Sequence, residues 1–264
     1  MTRSFRNASL VATTLAAALL SSAAMAGSFV SLSEDQTLQM FDSKSRKVTA
    51  TVMVKGLSAP LAGIDIRPAD GMLYGLQRDG QIVTIDMTSG QATTKAKLDQ
   101  ILPANVALTV DFNPVADRMR VVGADGTNLR INVDDGKTTV DGRLKFAETD
   151  ANKAATPFIL AGAYSNKFKG TKETALYEID ANIGAMVKQA PPNDGILSTL
   201  GNIGKKPKAI AFNIESDGKG GNTGWLLADG TLSTIDIATG QTTAVGSVAG
   251  LKGQVRDIAV LPAM

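Results

Sequence analysis

The chain of 264 residues contains no cysteine, no histidine and only one tryptophan. Without histidine it cannot build a Ser-His-Asp or Cys-His catalytic centre, a histidine-ligated metal site or a histidine pH switch. Without cysteine it forms no disulfide, so its stability must come from packing and strand pairing. Any chemistry would depend on carboxylates, Lys, Arg, Tyr, Ser or Thr, or on an oxygen-ligated metal. Aromatic residues are also sparse, at 5%, which argues against a stacking platform for sugars or bases.

Neither sign of charge is in excess, with 27 basic and 25 acidic residues. Residues 1–26 have the features of a signal peptide: Arg3 and Arg6, an uncharged apolar run at 10–20, and Ala-Met-Ala at 24–26. The run is shorter than the about 20 residues of a membrane helix, although an uncleaved anchor is an alternative. Cleavage would remove two arginines and no acid, and a balanced chain does not favour nucleic acid. We expect a periplasmic or secreted protein with no nucleic-acid partner and no stable membrane anchor.

A short turn recurs along the chain, in which an apolar residue precedes Asp or Asn and a glycine usually follows. The Asx side chain can bond the backbone two residues on, and glycine accepts the positive φ that a tight turn requires. The copies are 44 to 56 residues apart and begin at Asp42, Asp86, Asn132, Asp180 and Asp236.

Around each turn lie strand-sized apolar runs. The second copy has four of them, at 61–67, 72–76, 81–85 and 91–97, which is the pattern of one propeller blade. Further copies lie at 107–144, 159–204 and 209–248. The N-terminal copy, 28–54, has only three runs, and the C-terminal run at 255–260 resembles the missing first strand.

This arrangement predicts an all-β fold with a single domain at 27–264, a closed β-propeller of about five four-stranded blades. The C-terminal strand would complete the first blade and leave no open edge. Two alternatives remain, a sixth degenerate blade around 148–156 and a β-sandwich.

Several segments are similar to one bacterial family: GIDIRP at 63–68, DFNP at 111–114, DRMRVV at 117–122, NLR at 128–130, QAPPNDG at 189–195 and RDIAV at 256–260. Together they resemble the domain of unknown function 4394 family over nearly the whole mature chain. The resemblance implies a bacterial, mostly exported, propeller-like protein. It supplies no activity, substrate or catalytic residue.

Polar residues recur in the first strands of the copies, which in a propeller line the axial channel. If they point inward, their oxygens would converge in a ring suited to calcium, magnesium or a polar small ligand. The candidate metal ligands are Asp65, Asp111, Asn113, Asn213 and Asp257. No other cofactor is predicted. In the structural alternative, arginines pair with the aspartates and hold the blades together; the candidates are Arg67, Arg118, Arg120, Arg130 and Arg256.

A second candidate site lies within the third copy, where alternate residues share a face of a strand. Convergent guanidinium groups there could hold a phosphate, sulfate or carboxylate. The candidate ligand-binding residues are Arg118, Arg120, Asn128 and Arg130. The alternative is a salt-bridge network with Asp117 and neighbouring acids.

Two functions are compatible with these features. The first is a monomeric, non-enzymatic binding or scaffold protein of the cell envelope or extracellular space, whose partner is an unknown protein or a small polar ligand. Long loops at 146–157, 166–174 and 213–224 would offer the binding face. The second is a divalent-metal-dependent hydrolase or lactonase, in which a metal at the channel activates water. Whether the protein is an enzyme stays open at this point.

Overall fold

The computed structural model describes residues 27–34, 36–204, 206 and 209–262, so the predicted signal peptide lies outside the described residues. The first strands are β1 (Ser28–Ser33), β2 (Thr37–Asp42), β3 (Lys47–Met53), β4 (Leu61–Ile66), β5 (Leu73–Gln77), β6 (Gln81–Ile85), β7 (Ala92–Lys97), β8 (Leu108–Asn113), β9 (Arg118–Gly123), β10 (Asn128–Ile131) and β11 (Thr138–Val140). The chain continues with β12 (Lys145–Phe146), β13 (Ile159–Tyr164), β14 (Leu176–Asp180), β15 (Ala185–Gln189), β16 (Ile196–Asn202), β17 (Ile210–Ser216), β18 (Asn222–Ala228), β19 (Thr231–Ile235), β20 (Thr242–Ser247) and β21 (Val255–Val260). A single turn of 3-10 helix, Pro192–Asp194, precedes β16.

These strands form the five blades of a propeller. From the axis outward, blades 2 to 5 are β4-β5-β6-β7, β8-β9-β10-β11, β13-β14-β15-β16 and β17-β18-β19-β20. Blade 1 is β21-β1-β2-β3, so the C-terminal strand completes it, as predicted. Strand β12 pairs in parallel with β16 at the outer edge of blade 4. The inner strands β21, β4, β8, β13 and β17 contact one another in that order around a ring. Residues 147–158 hold no strand, which excludes a sixth blade there.

The recurring turn has the predicted chemistry. Asp86 Oδ1 accepts hydrogen bonds from the amides of Thr88 and Ser89 at 3.1 and 2.7 Å, and Gly90 follows with φ 75°. Asp236 repeats the arrangement with the next two amides and Gly240. In blades 1, 2, 3 and 5 this turn joins the third strand to the fourth.

The fourth copy departs from the predicted alignment. Asp180 closes β14, the second strand of its blade, and its turn leads into the third strand rather than the fourth. The position of the shared turn is taken instead by 190–195, which contains the 3-10 helix. The same kind of turn therefore occurs at a different position in this blade, because an Asx turn fits any tight reversal between strands.

The core consists of five apolar clusters, each lying between two neighbouring blades. Blades 5 and 1 meet where Trp225 packs edge-on against Phe29, with ring centroids 5.3 Å apart. Tyr74 and Phe112 make the same kind of contact between blades 2 and 3. The strands near the axis are therefore buried on both faces, and the outer strands β3, β7 and β20 are largely exposed. Within the described residues, no helix has the length and apolarity needed to cross a membrane.

Candidate functional site in the axial channel

Polar side chains of the inner strands join four of the five pairs of neighbouring blades. Asp257 accepts a hydrogen bond from the Ile64 amide at 2.9 Å, which joins blade 1 to blade 2. Asp65 accepts one from Phe112 at 2.8 Å and joins blades 2 and 3. Asp111 does the same with Tyr164 of blade 4 at 2.9 Å, and Asn213 Nδ2 donates to the Ile258 carbonyl of blade 1 at 2.9 Å. These polar groups are buried, and each has a partner that holds the ring closed.

A lysine from outside the inner strands lies among these groups. Lys167 belongs to the loop between β13 and β14, and its side chain is only 8% exposed. Its Nζ donates to both oxygens of Asp65 at 2.7 and 2.8 Å, to Asp111 Oδ2 at 2.8 Å and to Asn213 Oδ1 at 3.2 Å. We call these four residues the lysine cluster. It fills the channel between the inner strands of blades 2, 3 and 5.

Burial and charge act against each other in the lysine cluster. Burial alone would lower the pKa of Lys167, but the charges of Asp111 and Asp65 outweigh it, so the pKa is raised. The pKa of Asp111 lies well above its ordinary value because it is buried and close to Asp65, although Lys167 opposes both effects. Burial also raises the pKa of Asp257, against the hydrogen bond from Ile64. The carboxylates therefore depend on the ammonium group for compensation.

This geometry bears on the predicted metal ligands. Asp65, Asp111 and Asn213 converge on the ammonium group of Lys167, which stands where a cation would be held. Asn113 lies apart, because its Oδ1 caps a turn by accepting from the amides of Val115 and Ala116. Among the described residues, no group of three or more acidic side chains is arranged to hold a metal ion. The partner of Asp65 and Asp111 is thus a lysine, not one of the suggested arginines.

The predicted arginine site is a network between blades 3 and 4. Arg120, with a side chain 3% exposed, donates to Asp141 at 2.6 Å, Asn128 at 2.7 Å and Asn193 at 2.9 Å. Arg130 donates to both oxygens of Asp141. Arg118 does not join them, since it donates to the backbone carbonyls of Ala116 and Asp117. These contacts are those of a salt-bridge network, which was the alternative to a ligand site. Its acid is Asp141, which the sequence pattern did not identify.

The channel has a large cavity at the opposite end, where the inner strands begin. It has a volume of about 780 Å³, and we call it the mouth cavity. All five blades supply its walls, among them Glu34 and Arg256 of blade 1, Arg78 of blade 2, Leu108 of blade 3, Leu160 of blade 4 and Ile210 of blade 5. Much of the remaining wall comes from the loop between β7 and β8, which the sequence pattern did not single out. A second cavity of about 360 Å³ lies beyond the lysine cluster, at the other end.

Charged groups in the mouth cavity are poorly paired. Arg78 Nη1 donates to the Val106 carbonyl at 2.6 Å. Arg256 Nη2 lies 3.7 Å from Glu34 Oε1, beyond hydrogen-bond distance, and the buried Nε of Arg256 has no partner. Burial lowers the pKa of Arg78, and the charge of Arg256 lowers it further. The two guanidinium groups are therefore close enough to repel each other.

Comparison with known proteins gives a family. A model of the domain of unknown function 4394 matches residues 37–259. The chain belongs to this family. No curated protein matches it.

Among solved structures, a structural genomics protein of unknown function from Bacteroides thetaiotaomicron VPI-5482 is similar, with a TM-score of 0.54 and 13% sequence identity. The match covers 90% of this chain and 64% of that one, so this chain spans less than two thirds of that protein. An auxiliary nutrient binding protein from the same organism has a TM-score of 0.48 at 14% identity, covering 76% of this chain and 53% of that one. At sequence identities this low, structural similarity is informative about the fold alone.

Proposed function

We propose that this member of the family is an exported, non-enzymatic binding protein that takes a small ligand into the mouth cavity. The observation that carries the proposal is the cavity itself, an open depression of about 780 Å³ to which all five blades contribute. Its size is within the range of small-molecule sites, and its mostly apolar wall with a few polar groups is typical of them. The predicted signal peptide supports export.

The chemistry of the wall favours binding over catalysis. Among the lining residues that the structure describes, Glu34 is the single carboxylate, and none carries a hydroxyl or an amine. A nucleophile with an adjacent base therefore cannot be assembled from them. Asp65 and Asp111 lie in the lysine cluster, where Lys167 and backbone amides already occupy their oxygens. The third carboxylate of the channel, Asp257, accepts from the amides of Ile64 and Ile258. We expect a bound ligand to be released unchanged.

A ligand screen with a cavity-filling variant tests the proposal. Ala107 lines the mouth cavity and is exposed, so Ala107→Trp should occupy part of the space and obstruct a ligand without displacing the core. We expect metabolites that raise the melting temperature of the wild type to lose this effect in Ala107→Trp. They should keep it in Ala238→Trp, a control in an exposed turn of blade 5. If hits bind both variants alike, the mouth cavity is not the binding site. Chromatography of the recovered ligand would show whether it was altered.

A further inference from the structure

Two arginines and one acid give the lining of the mouth cavity an excess of positive charge. Arg78 and Arg256 both line it, and the nearest acid among the described lining residues is Glu34, whose side chain is 52% exposed. Arg78 is bonded to a carbonyl, which carries no full charge. The remaining donors of the two guanidinium groups are therefore available to a ligand.

Arg78 and Arg256 are half-buried, and two more deeply buried arginines of this protein have different partners. Arg67 donates to Asp117 at 2.6 Å and to Asp134 at 3.0 Å, and Arg120 donates to Asp141 at 2.6 Å. Each of these side chains has a carboxylate within hydrogen-bond distance. At the mouth cavity, by contrast, the Nε of Arg256 is buried without any partner. Neither guanidinium group at the mouth cavity has a carboxylate within hydrogen-bond distance, because Arg78 donates to a carbonyl and Glu34 lies 3.7 Å from Arg256.

We propose that the mouth cavity binds a small organic anion, with a carboxylate or phosphate head held by Arg78 and Arg256 and an apolar body against the rest of the wall. This proposal rests on the proposed function and adds the class of ligand. A guanidinium group presents parallel donors that match a carboxylate or a phosphate. An anion could accept from the accessible terminal nitrogens of both arginines and would offset the mutual influence of their charges.

Glu34 provides a further test of the proposal, because it lines the same cavity and carries the opposite charge. Its Oε1 is 3.7 Å from Arg256 Nη2, so it competes with an incoming anion for the same guanidinium group. Removing the Glu34 charge should therefore strengthen anion binding. A purely structural role of the arginines gives no reason for such a gain.

Calorimetric titration with three ligands of the same chain length tests the ligand class. The probes are hexanoate, hexyl phosphate and the neutral hexanamide, and the two anions distinguish a carboxylate from a phosphate preference. We expect at least one anion to bind the wild type about tenfold more tightly than hexanamide, since a hydrogen bond to a charged group contributes about that much. If hexanamide binds as tightly as both anions, or if neither anion binds, the inference is wrong.

Charge variants test the residues. Arg256→Gln and Arg78→Gln should each weaken anion binding about tenfold, and Glu34→Gln should strengthen it. Arg118→Gln removes the same charge at the opposite end of the propeller and should leave the affinity within about twofold. Affinities unchanged in Arg256→Gln would overturn the assignment, even if Arg78→Gln fails to fold. Melting curves without ligand identify a variant that does not fold.

The cavity-filling variant separates this inference from the proposed function. If hexanamide and the anions bind equally and Ala107→Trp abolishes all of them, the mouth cavity is a binding site and only the anion assignment fails. If Ala107→Trp leaves anion binding intact, both the proposed cavity function and this inference are wrong.

Discussion

Replacing Lys167 by methionine removes the only ammonium group of the lysine cluster and keeps a side chain of similar length. In the wild type its Nζ lies 2.7 Å from Asp65 and 2.8 Å from Asp111, and the two carboxylates are 0% and 3% exposed. Methionine would leave them buried beside each other without compensation. Breaking a buried ion pair in this way costs about 3–5 kcal/mol, which for a domain of this size is a loss of about 10 °C in melting temperature.

The destabilisation should depend on pH. Removing Lys167 abolishes the influence that opposes burial at Asp111, so the pKa of that carboxyl should rise further. When the pKa of a carboxyl is higher in the folded state than in the unfolded state, the free energy of unfolding falls as pH rises from the lower pKa to the higher one. The deficit of Lys167→Met should therefore be largest near pH 8 and should shrink towards pH 5.

Urea denaturation at several pH values measures this deficit directly. Lys169→Met is the matched control, because Lys169 lies two residues away in the same loop and is exposed. In an Asp111→Asn background the Lys167→Met change should cost less, with a coupling energy of about 1 kcal/mol or more. A deficit below about 1 kcal/mol, or one equal to that of Lys169→Met, would refute our account of the cluster.

The remaining predictions concern other buried charges and the metal hypothesis. Both carboxyl oxygens of Glu178 are buried without a partner, and burial raises its pKa to about 8. The folded protein then keeps a proton that the unfolded chain releases, so the free energy of unfolding should fall by up to about 5 kcal/mol between about pH 4.5 and 8; denaturation curves should show a smaller fall for Glu178→Gln. Asp141→Asn should cost about 3–5 kcal/mol, because it leaves Arg120 buried without its acid, and the exposed Glu148→Gln should cost little in the same urea assay. Calcium or a chelator should not shift the melting temperature of the wild type, because Lys167 occupies the space between the candidate ligands; a rise of several degrees with calcium would restore the metal hypothesis.

The fold was predictable from the sequence because its signals are local and repeated. Asp86 and Asp236 each begin a turn whose chemistry depends on the next few residues alone. The run at 255–260 resembled the first strands of other copies, and it occupies that position in blade 1. The fourth blade shows the limit of this reasoning, because the turn at Asp180 is chemically the same as the others and lies one strand earlier.

The candidate site was predictable only in part. The inner-strand positions of Asp65 and Asp111 followed from the alignment of copies, and both side chains do lie near the axis. Their partner Lys167 is 102 and 56 residues away from them in the chain and belongs to a loop without a repeat. No local pattern distinguishes it from the exposed lysine two positions later. The side chain that enters the channel is determined by the arrangement of all five blades, which a local sequence pattern does not contain.

The two ends of the channel also differ in how their charged groups are paired. In the lysine cluster, every buried charge has a partner of opposite sign or a backbone amide, and the network joins several blades at once. At the mouth cavity, Arg78 and Arg256 repel each other, and a buried nitrogen of Arg256 bonds nothing. Two neighbouring like charges without a hydrogen-bonded acid do not stabilise a fold. Groups that weaken a fold are a feature of functional sites. This contrast is why we assign binding to the mouth cavity rather than to the aspartates of the channel.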